Sequence, residues 1–471
     1  GGQDDRVREA AVPIAHRRSD RPVIERIMVL GATGDLSRRH LLPALAHLVQ
    51  ARLLPTRLEL IGVGRGAMSN AAFQDLVAES LEAGASAVAN EARERLIDGA
   101  RYVESDLRDP ASLASVLVGG PLLVYLALPP WAFDSALRCL RSAGLDRVSR
   151  IVIEKPFGED GSSAHALNDL LTTMVDAADV FRADHFLHHR TTRDIMDLRF
   201  AVDDYEPLWH GGEVERVEIT WDETAGVGDR ADYYDRTGAL RDMIQSHLLE
   251  LLAVVAMDRP DGNVRDALRA QRVTVLRAIA APTPDQVRTA TVRGRYTAGR
   301  SRNVPIGGYA GEDGVDPGRA TETFAAVRLT VARPRWSGVP FVLRSGKALA
   351  GDRRSIEVRF RPSASPQASG SRPRPAAVRF QMAPDSTQVD FDDGRGFRDI
   401  AERVVSALDR LPASARLISA VLDGDQTWFL RADEPEECWR IIEPILDAWA
   451  DGVAPLVEYR AGSEGPAGET T

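Results

Sequence analysis

Lysine is almost missing from this sequence. Only Lys155 and Lys347 among its 59 basic residues are lysine, and arginine fills every other basic position. A genome biased toward arginine accounts for the surface, where either cation serves. It does not account for the two exceptions, because a compact ammonium on a flexible stem suits a tight pocket that a planar guanidinium does not fit. Lys155 and Lys347 are therefore candidate site residues before any motif is read. Cysteine is equally sparse, and Cys139 and Cys438 alone exclude a disulfide framework and fit a reducing, cytoplasmic setting. No apolar run nears the roughly 20 residues that a membrane-spanning helix needs. A basic excess is missing as well: 59 Lys plus Arg against 69 Asp plus Glu leave a net charge of −10, which disfavours a nucleic-acid groove or an anionic membrane surface. The polar, Arg-rich start has no apolar stretch of a signal peptide, so residues 1–24 are read as a disordered tail.

With 471 residues, the chain exceeds what one hydrophobic core usually supports, and two domains are expected. Ile27 to Leu30 is a short β-type run, followed by the turn Gly31-Ala-Thr-Gly34-Asp35 and a helix opening near Leu36. Apolar strands recur in RLELIGVGR (57–65), PLLVYLALPP (121–130) and SRIVIEKPFG (149–158), with amphipathic helices such as 71–83 between them. This alternation predicts an α/β, Rossmann-like dinucleotide-binding domain with a parallel sheet over residues 25–195. Beyond residue 195 the pattern changes to short alternating strands in VERVEITWDE, RVTVLRAI, FAAVRLTV, FVLRSGK, SIEVRF and AVRFQM. A larger α+β domain with a mainly antiparallel sheet follows over 196–460, with helices at 248–257 and 435–450. The Pro/Ser-rich stretch 361–375 reads as a mobile loop and 461–471 as a second disordered tail.

Two places carry chemistry on their residues alone. Gly31, Thr33, Gly34, Asp35 and Leu36 lie between a strand and a helix, where backbone N–H groups and the helix dipole favour a phosphate. Arg65 stands at the end of the second strand, where an acid would take the ribose hydroxyls of NAD. An arginine there pairs instead with a ribose 2′-phosphate, so NADP is preferred and NAD is the weaker alternative. The second place is FRADHFLHHR (181–190). His185, His188 and His189 are spaced so that a helix could present all three to one metal; half of a catalytic pair, an anion clamp and a plain polar face are equally open.

GATGDL, YLALPP, EKPFG, RADHFL, LRDMIQSHLLE, TFAAV and FVLRSGKAL follow in an order that resembles the glucose-6-phosphate dehydrogenase family from about residue 26 to 455. The resemblance implies oxidation of C1 of glucose 6-phosphate to the lactone with hydride transfer to NADP, and a homodimer or dimer of dimers. It makes His247 the general base and Asp184 the carboxylate that orients it. It places Lys155 at both the substrate and the nicotinamide, and Lys347, Glu223 and Asp242 around the sugar. Arg353 or Arg354 would add to the anion site. No metal is needed for this chemistry.

The chain departs from the family at the phosphate clamp. Where relatives read Asp-His-Tyr-Leu-Gly-Lys, this sequence reads Asp184-His185-Phe186-Leu187-His188-His189. His185 is kept, the tyrosine hydroxyl is lost at Phe186, and His189 replaces the lysine. A lost charge-assisted phosphate contact is worth about 1.5–3 kcal/mol, one to two decades in affinity. Three outcomes fit: a clamp rebuilt from His188, His189, Arg190 or Arg193, a different sugar oxidised by the same chemistry, or a non-catalytic NADP-binding paralogue.

Overall fold

A computed structural model describes residues 23–201, 204–261, 264–362, 374–382, 384–391, 395–399 and 411–466. The expected mobile loop at 361–375 falls mostly outside the described residues, as do residues 1–22 of the first expected tail and 467–471 of the second.

The first layer is a six-stranded parallel sheet. Its strands are β1 (Arg26–Leu30), β2 (Glu59–Gly64), β3 (Ala100–Glu104), β4 (Leu123–Leu126), β5 (Arg150–Glu154) and β6 (Val180–Ala183). They lie side by side in the order β3-β2-β1-β4-β5-β6, the order of a doubly wound dinucleotide-binding fold. β4 and β5 are buried on both faces, which is why they read as continuous apolar runs and not as alternating ones. β3 and β6 escaped the sequence reading. ARYVE and VFRA are short and interrupted by charge, and Arg182 finds a buried partner in Asn168 at 2.9 Å.

The second layer carries β7 (Val214–Asp222), β8 (Thr291–Thr297), a small hairpin of β9 (Gly299–Ser301) and β10 (Val304–Ile306), then β11 (Phe324–Thr330), β12 (Pro340–Gly346), β13 (Arg353–Phe360), β14 (Ala377–Gln381), β15 (Ser386–Asp390), β16 (Arg398–Asp399) and β17 (Leu456–Arg460). Apart from the hairpin these form one nine-stranded sheet, β16-β15-β14-β13-β7-β12-β11-β8-β17. Only β7 with β12 and β8 with β17 run parallel. A wholly buried helix, 249–256, packs beneath it, and one apolar core runs from Met28 and Leu30 in the first sheet to Val217 and Ile219 in the second.

Two expectations are corrected. RVTVLRAI is not a strand but the end of the helix Val264–Arg277. Its period-2 look is accidental: Leu268, Val275 and Leu276 are buried at helical spacing, and Arg272 is fully buried against Glu434 at 3.2 Å. The chain also does not fray at residue 461. Gly462 N–H donates to Ala348 O at 2.7 Å, Ala350 N–H to Ser463 O at 2.9 Å, and Arg344 reaches Glu464 O at 2.6 Å, so residues 461–466 are tied to the second domain.

The two halves of the sequence are not two separate bodies in space. The helix Ala413–Asp423 leaves the second domain and packs Ala415, Ile418 and Val421 into the core of the first sheet, beside Leu45 and Leu48. Arg150 at the start of β5 caps this helix through Val421 O and Leu422 O, at 2.9 and 2.6 Å. Leu430 N–H then bonds to Arg182 O beside β6 at 3.0 Å.

Candidate active site

In a parallel sheet all carboxyl ends face one edge, and here that edge collects the turns after β1, β4, β5 and β6. Gly31 has φ +83°, and a Cβ at this position would lie 2.3 Å from Ala127 O in the turn after β4. Only glycine lets those two turns meet. Gly31 N–H and Ala32 N–H bond to Val63 O of β2, while Thr33, Gly34 and Asp35 stay exposed at the mouth and Leu36 already has helical φ and ψ. This is the arrangement expected of a pyrophosphate cradle. Arg65, exposed one residue after β2, lies on the same edge.

FRADHFLHHR is neither a helix face nor a single cluster. Phe181 to Ala183 belong to β6, Asp184 to His189 form a turn, and a helix starts only at Arg190. The turn sends its histidines to different places. His185 opens onto the cleft, its ring centre 5.1 Å from that of His247. His189 faces Asp385, Nδ1 to Oδ1 3.6 Å. His188 points the other way, 1% exposed, edge-on to Phe429. The shared-metal reading of these three residues is therefore overturned: their spacing is helical but their backbone is not.

Asp184 is the centre of the site. It is fully buried, and its carboxylate accepts from three donors: His247 Nδ1 at 2.7 Å, Lys155 Nζ at 2.7 Å on the other oxygen, and Phe186 N–H at 3.0 Å. Burial alone would raise its pKa, but His247 and Lys155 outweigh that and hold it well below the ordinary carboxylate range. His247 sits in a π-type stretch, Leu240–Leu248, where Leu249 N–H reaches back five residues to Ile244 O. Such wide turns are common at functional positions. Burial and the Lys155 charge keep His247 below the ordinary imidazole range against the pull of Asp184, so it is neutral and able to accept a proton at pH 7.

Asp184, His185 and His247 could each turn one donor atom to a common point within 4.8 Å of one another. The cation among those donors is Lys155, whose ammonium is 2.7 Å from Asp184 Oδ2 and 3.5 Å from His247 Nδ1. A metal ion would have to displace it.

A row of rings joins this centre to the second domain. Phe186 stacks on His247, with centroids 4.0 Å apart and planes 19° apart, and touches Trp221 at 4.5 Å. Arg354 lies over the Trp221 ring at 4.9 Å and bonds Glu223 at 3.4 Å. Glu223 also receives Lys347 Nζ, so the two rare lysines end on two carboxylates of one cleft. Arg353 points elsewhere, to Asp222 at 3.0 Å and Glu464 at 2.9 Å. Asp242 is half-buried on the His247 helix and close enough for its charge to bear on that imidazole. Sequence reasoning missed the stacking of Phe186 and the buried pair Tyr125 and Glu154, in which the phenol donates to the carboxylate beside Lys155. Burial, reinforced by Asp184 and opposed by the Tyr125 bond, lifts Glu154 to about 7. Its place in EKPFG, next to Lys155, was the available signal.

Residues 28–193 match the family model described as glucose-6-phosphate dehydrogenase, NAD binding domain, and residues 196–471 match glucose-6-phosphate dehydrogenase, C-terminal domain. The chain belongs to the glucose-6-phosphate dehydrogenase family. The glucose-6-phosphate 1-dehydrogenase of Rhizobium meliloti is 36% identical over 463 residues, covering 93% of this chain and 94% of its own. Among solved structures, the glucose-6-phosphate 1-dehydrogenase of Mycobacterium avium superposes with a TM-score of 0.79 at 30% identity, over 94% of this chain and 96% of that one. A glucose-6-phosphate dehydrogenase in complex with glucose 6-phosphate superposes with a TM-score of 0.83 at 26% identity, over 96% and 97%. The family fold, a Rossmann-like domain with a larger, mainly antiparallel partner, is the one described above.

The buried imidazole of His188 belongs to no site and has a cost of its own. Burial, aided by Arg193 and Arg416, lowers its pKa to about 3, whereas in the unfolded chain it takes a proton near 6.5. The folded pKa is the lower one, so stability from this group is complete above pH 6.5 and is lost as pH falls toward 3. By pH 5 the loss is about 2 kcal/mol. His188→Leu is expected to lose correspondingly less stability than the native chain between pH 7.5 and pH 5 in thermal unfolding.

Proposed function

We propose that this chain oxidises C1 of glucose 6-phosphate to 6-phosphogluconolactone and passes the hydride to NADP. The observation that carries the reading is the buried Asp184–His247 pair, joined by Lys155, at the carboxyl edge of a dinucleotide-binding sheet. The Gly31 turn fits a bound dinucleotide, since Thr33, Gly34 and Asp35 lie exposed at the mouth just before the helix begins, where a pyrophosphate would sit. NADP, when bound, supplies the nicotinamide ring that accepts hydride. His247, with Nδ1 held by Asp184, turns its other nitrogen to the C1 hydroxyl and takes its proton. Asp184 fixes the tautomer and stabilises the imidazolium that forms. Lys155, Lys347, Glu223 and Asp242 hold the sugar hydroxyls so that C1–H faces the acceptor.

His185 and His189 take the phosphate from the cleft side, with Arg354 as the nearby guanidinium. Burial and the proximity of His247 lower the pKa of His185, although the face of its ring open to the cleft moderates this, and at pH 7 it serves as a neutral N–H donor. Phe186 contributes no hydroxyl; its ring shields one face of the base. The family context supports a homodimer or dimer of dimers. Among the described residues no helix is long and apolar enough to cross a membrane, and the buried thiols of Cys139 and Cys438 support a cytoplasmic setting.

A substrate panel tests the reading: reduced nicotinamide is followed with glucose 6-phosphate, other hexose phosphates and free glucose, each with NADP and NAD. Turnover of glucose 6-phosphate with NADP at the highest kcat/KM is expected. Failure of that pair while another sugar turns over would sink the substrate assignment. Arg65→Ala should lower kcat/KM for NADP by about 10- to 100-fold, the worth of a charge-assisted phosphate contact, with little effect on NAD.

A further inference from the structure

Glu250 lies one helical turn beyond His247, outside every role above. It is 1% exposed, and Cys438 Sγ–H donates to one carboxyl oxygen at 3.6 Å while the other, Oε2, has no partner among the described residues. A buried carboxyl oxygen without a partner is costly, and such atoms commonly mark an internal water. A cavity with about 10 Å³ of room lies between Glu250 and Lys155, and its polar lining is Lys155, Gln245, Ser246, Glu250 and Cys438. That room holds one water, and the lining offers the two to four polar partners that one requires.

The charges nearby decide the state of Glu250. Two cations and two carboxylates already pair off: Lys155 with Asp184 at 2.7 Å and Arg272 with Glu434 at 3.2 Å, all four largely or fully buried. Glu250 is the fifth group and makes no ion pair among the described residues. Burial, reinforced by Glu434, accordingly raises its pKa well above the ordinary range against the opposing Arg272 and Lys155. A protonated Glu250 can donate to a water, which can also accept from the Lys155 ammonium and donate to Gln245 Oε1 and Ser246 Oγ.

We infer that Glu250 is a positioning residue that holds, with Gln245 and Ser246, one buried water against the Lys155 ammonium. This second tether fixes Lys155 on the Asp184 and His247 side of the cleft, at the distance that keeps the base neutral. The inference rests on the proposed oxidation for its kinetic consequence, but its structural part is testable without turnover.

Two variants separate the role from mere packing. Glu250→Gln keeps a donor and an acceptor and cannot titrate; kcat/KM should stay within about threefold of the native value, with the same pH profile from pH 6 to 9. Glu250→Leu keeps volume and loses both polar atoms. It should lower kcat/KM by about 10- to 100-fold, the usual effect of removing a partner behind a reacting group, and move the acid limb to higher pH as Lys155 loosens from His247. Infrared difference spectra of the native protein against Glu250→Gln should show one protonated carboxyl lost at neutral pH. Glu250→Leu with native kcat/KM and acid limb, or no protonated carboxyl in the spectra, overturns the inference. A native protein without turnover would count against the proposed function, and the infrared result would still decide the state of Glu250.

Discussion

His247→Asn should lower kcat by about two to four orders of magnitude, the range a positioned general base supplies. The amide can still donate to Asp184 and occupies similar space under the Phe186 ring, so folding and NADP binding should persist. It cannot accept the C1 hydroxyl proton. The loss should therefore fall on kcat, with KM for the sugar phosphate changing little, because sugar contacts are assigned to Lys347, Glu223 and Asp242. Steady-state kinetics and equilibrium titration with NADP check both halves. A variant within tenfold of the native kcat would remove His247 from the base role.

Lys155→Met should affect stability and the pH profile together. The methionine keeps the stem and removes the ammonium, leaving the fully buried Asp184 with His247 and one backbone N–H. Breaking a buried pair by deleting one partner costs about 3–5 kcal/mol, because the remaining charge stays desolvated. The sign of the pH effect follows from Asp184. Its folded pKa is depressed, so the pair's contribution is complete above the unfolded carboxylate value and is lost progressively as pH falls below it toward the much lower folded value. The stability difference between native and variant should accordingly be large at pH 7 and shrink in acid. On activity the direction is opposite to a simple loss of charge: Lys155 lowers the His247 pKa, so its removal raises that pKa and moves the acid limb of kcat/KM to higher pH. An unchanged limb would show that the ammonium does not act on the base.

Much of this site was legible because its chemistry is rare in its own sequence. Two lysines among so many arginines pointed to the cleft before the fold was known, and both end on buried or half-buried carboxylates there. The parallel sheet was legible where strands are buried on both faces, as in β4 and β5, and illegible where charge interrupts them, as in β3 and β6. Spacing misled at FRADHFLHHR, since i, i+3 and i+4 describe neighbours only on a helix, and Asp184 to His189 form a turn. RVTVLRAI failed for the converse reason: alternating valines suit a strand, but the helix buries them against its neighbours. Glu250 was hidden because its significance lies in making no ion pair among the described residues, which no local pattern encodes.

The crossing of Ala413–Asp423 into the first domain bears on how the chain is made. Residues 28–193 look like an independent unit when matched on their own, yet Ala415, Ile418, Val421 and Phe429 complete the core on one face of that sheet. A ribosome releases those residues long after β6. Until then part of one apolar face of the nucleotide-binding sheet, around Tyr125, Val152 and Phe181, lacks its cover, so a fragment ending near residue 195 should be sticky and poorly soluble. The closing helix thus makes cofactor binding wait on synthesis of a segment far beyond the nucleotide-binding sheet itself.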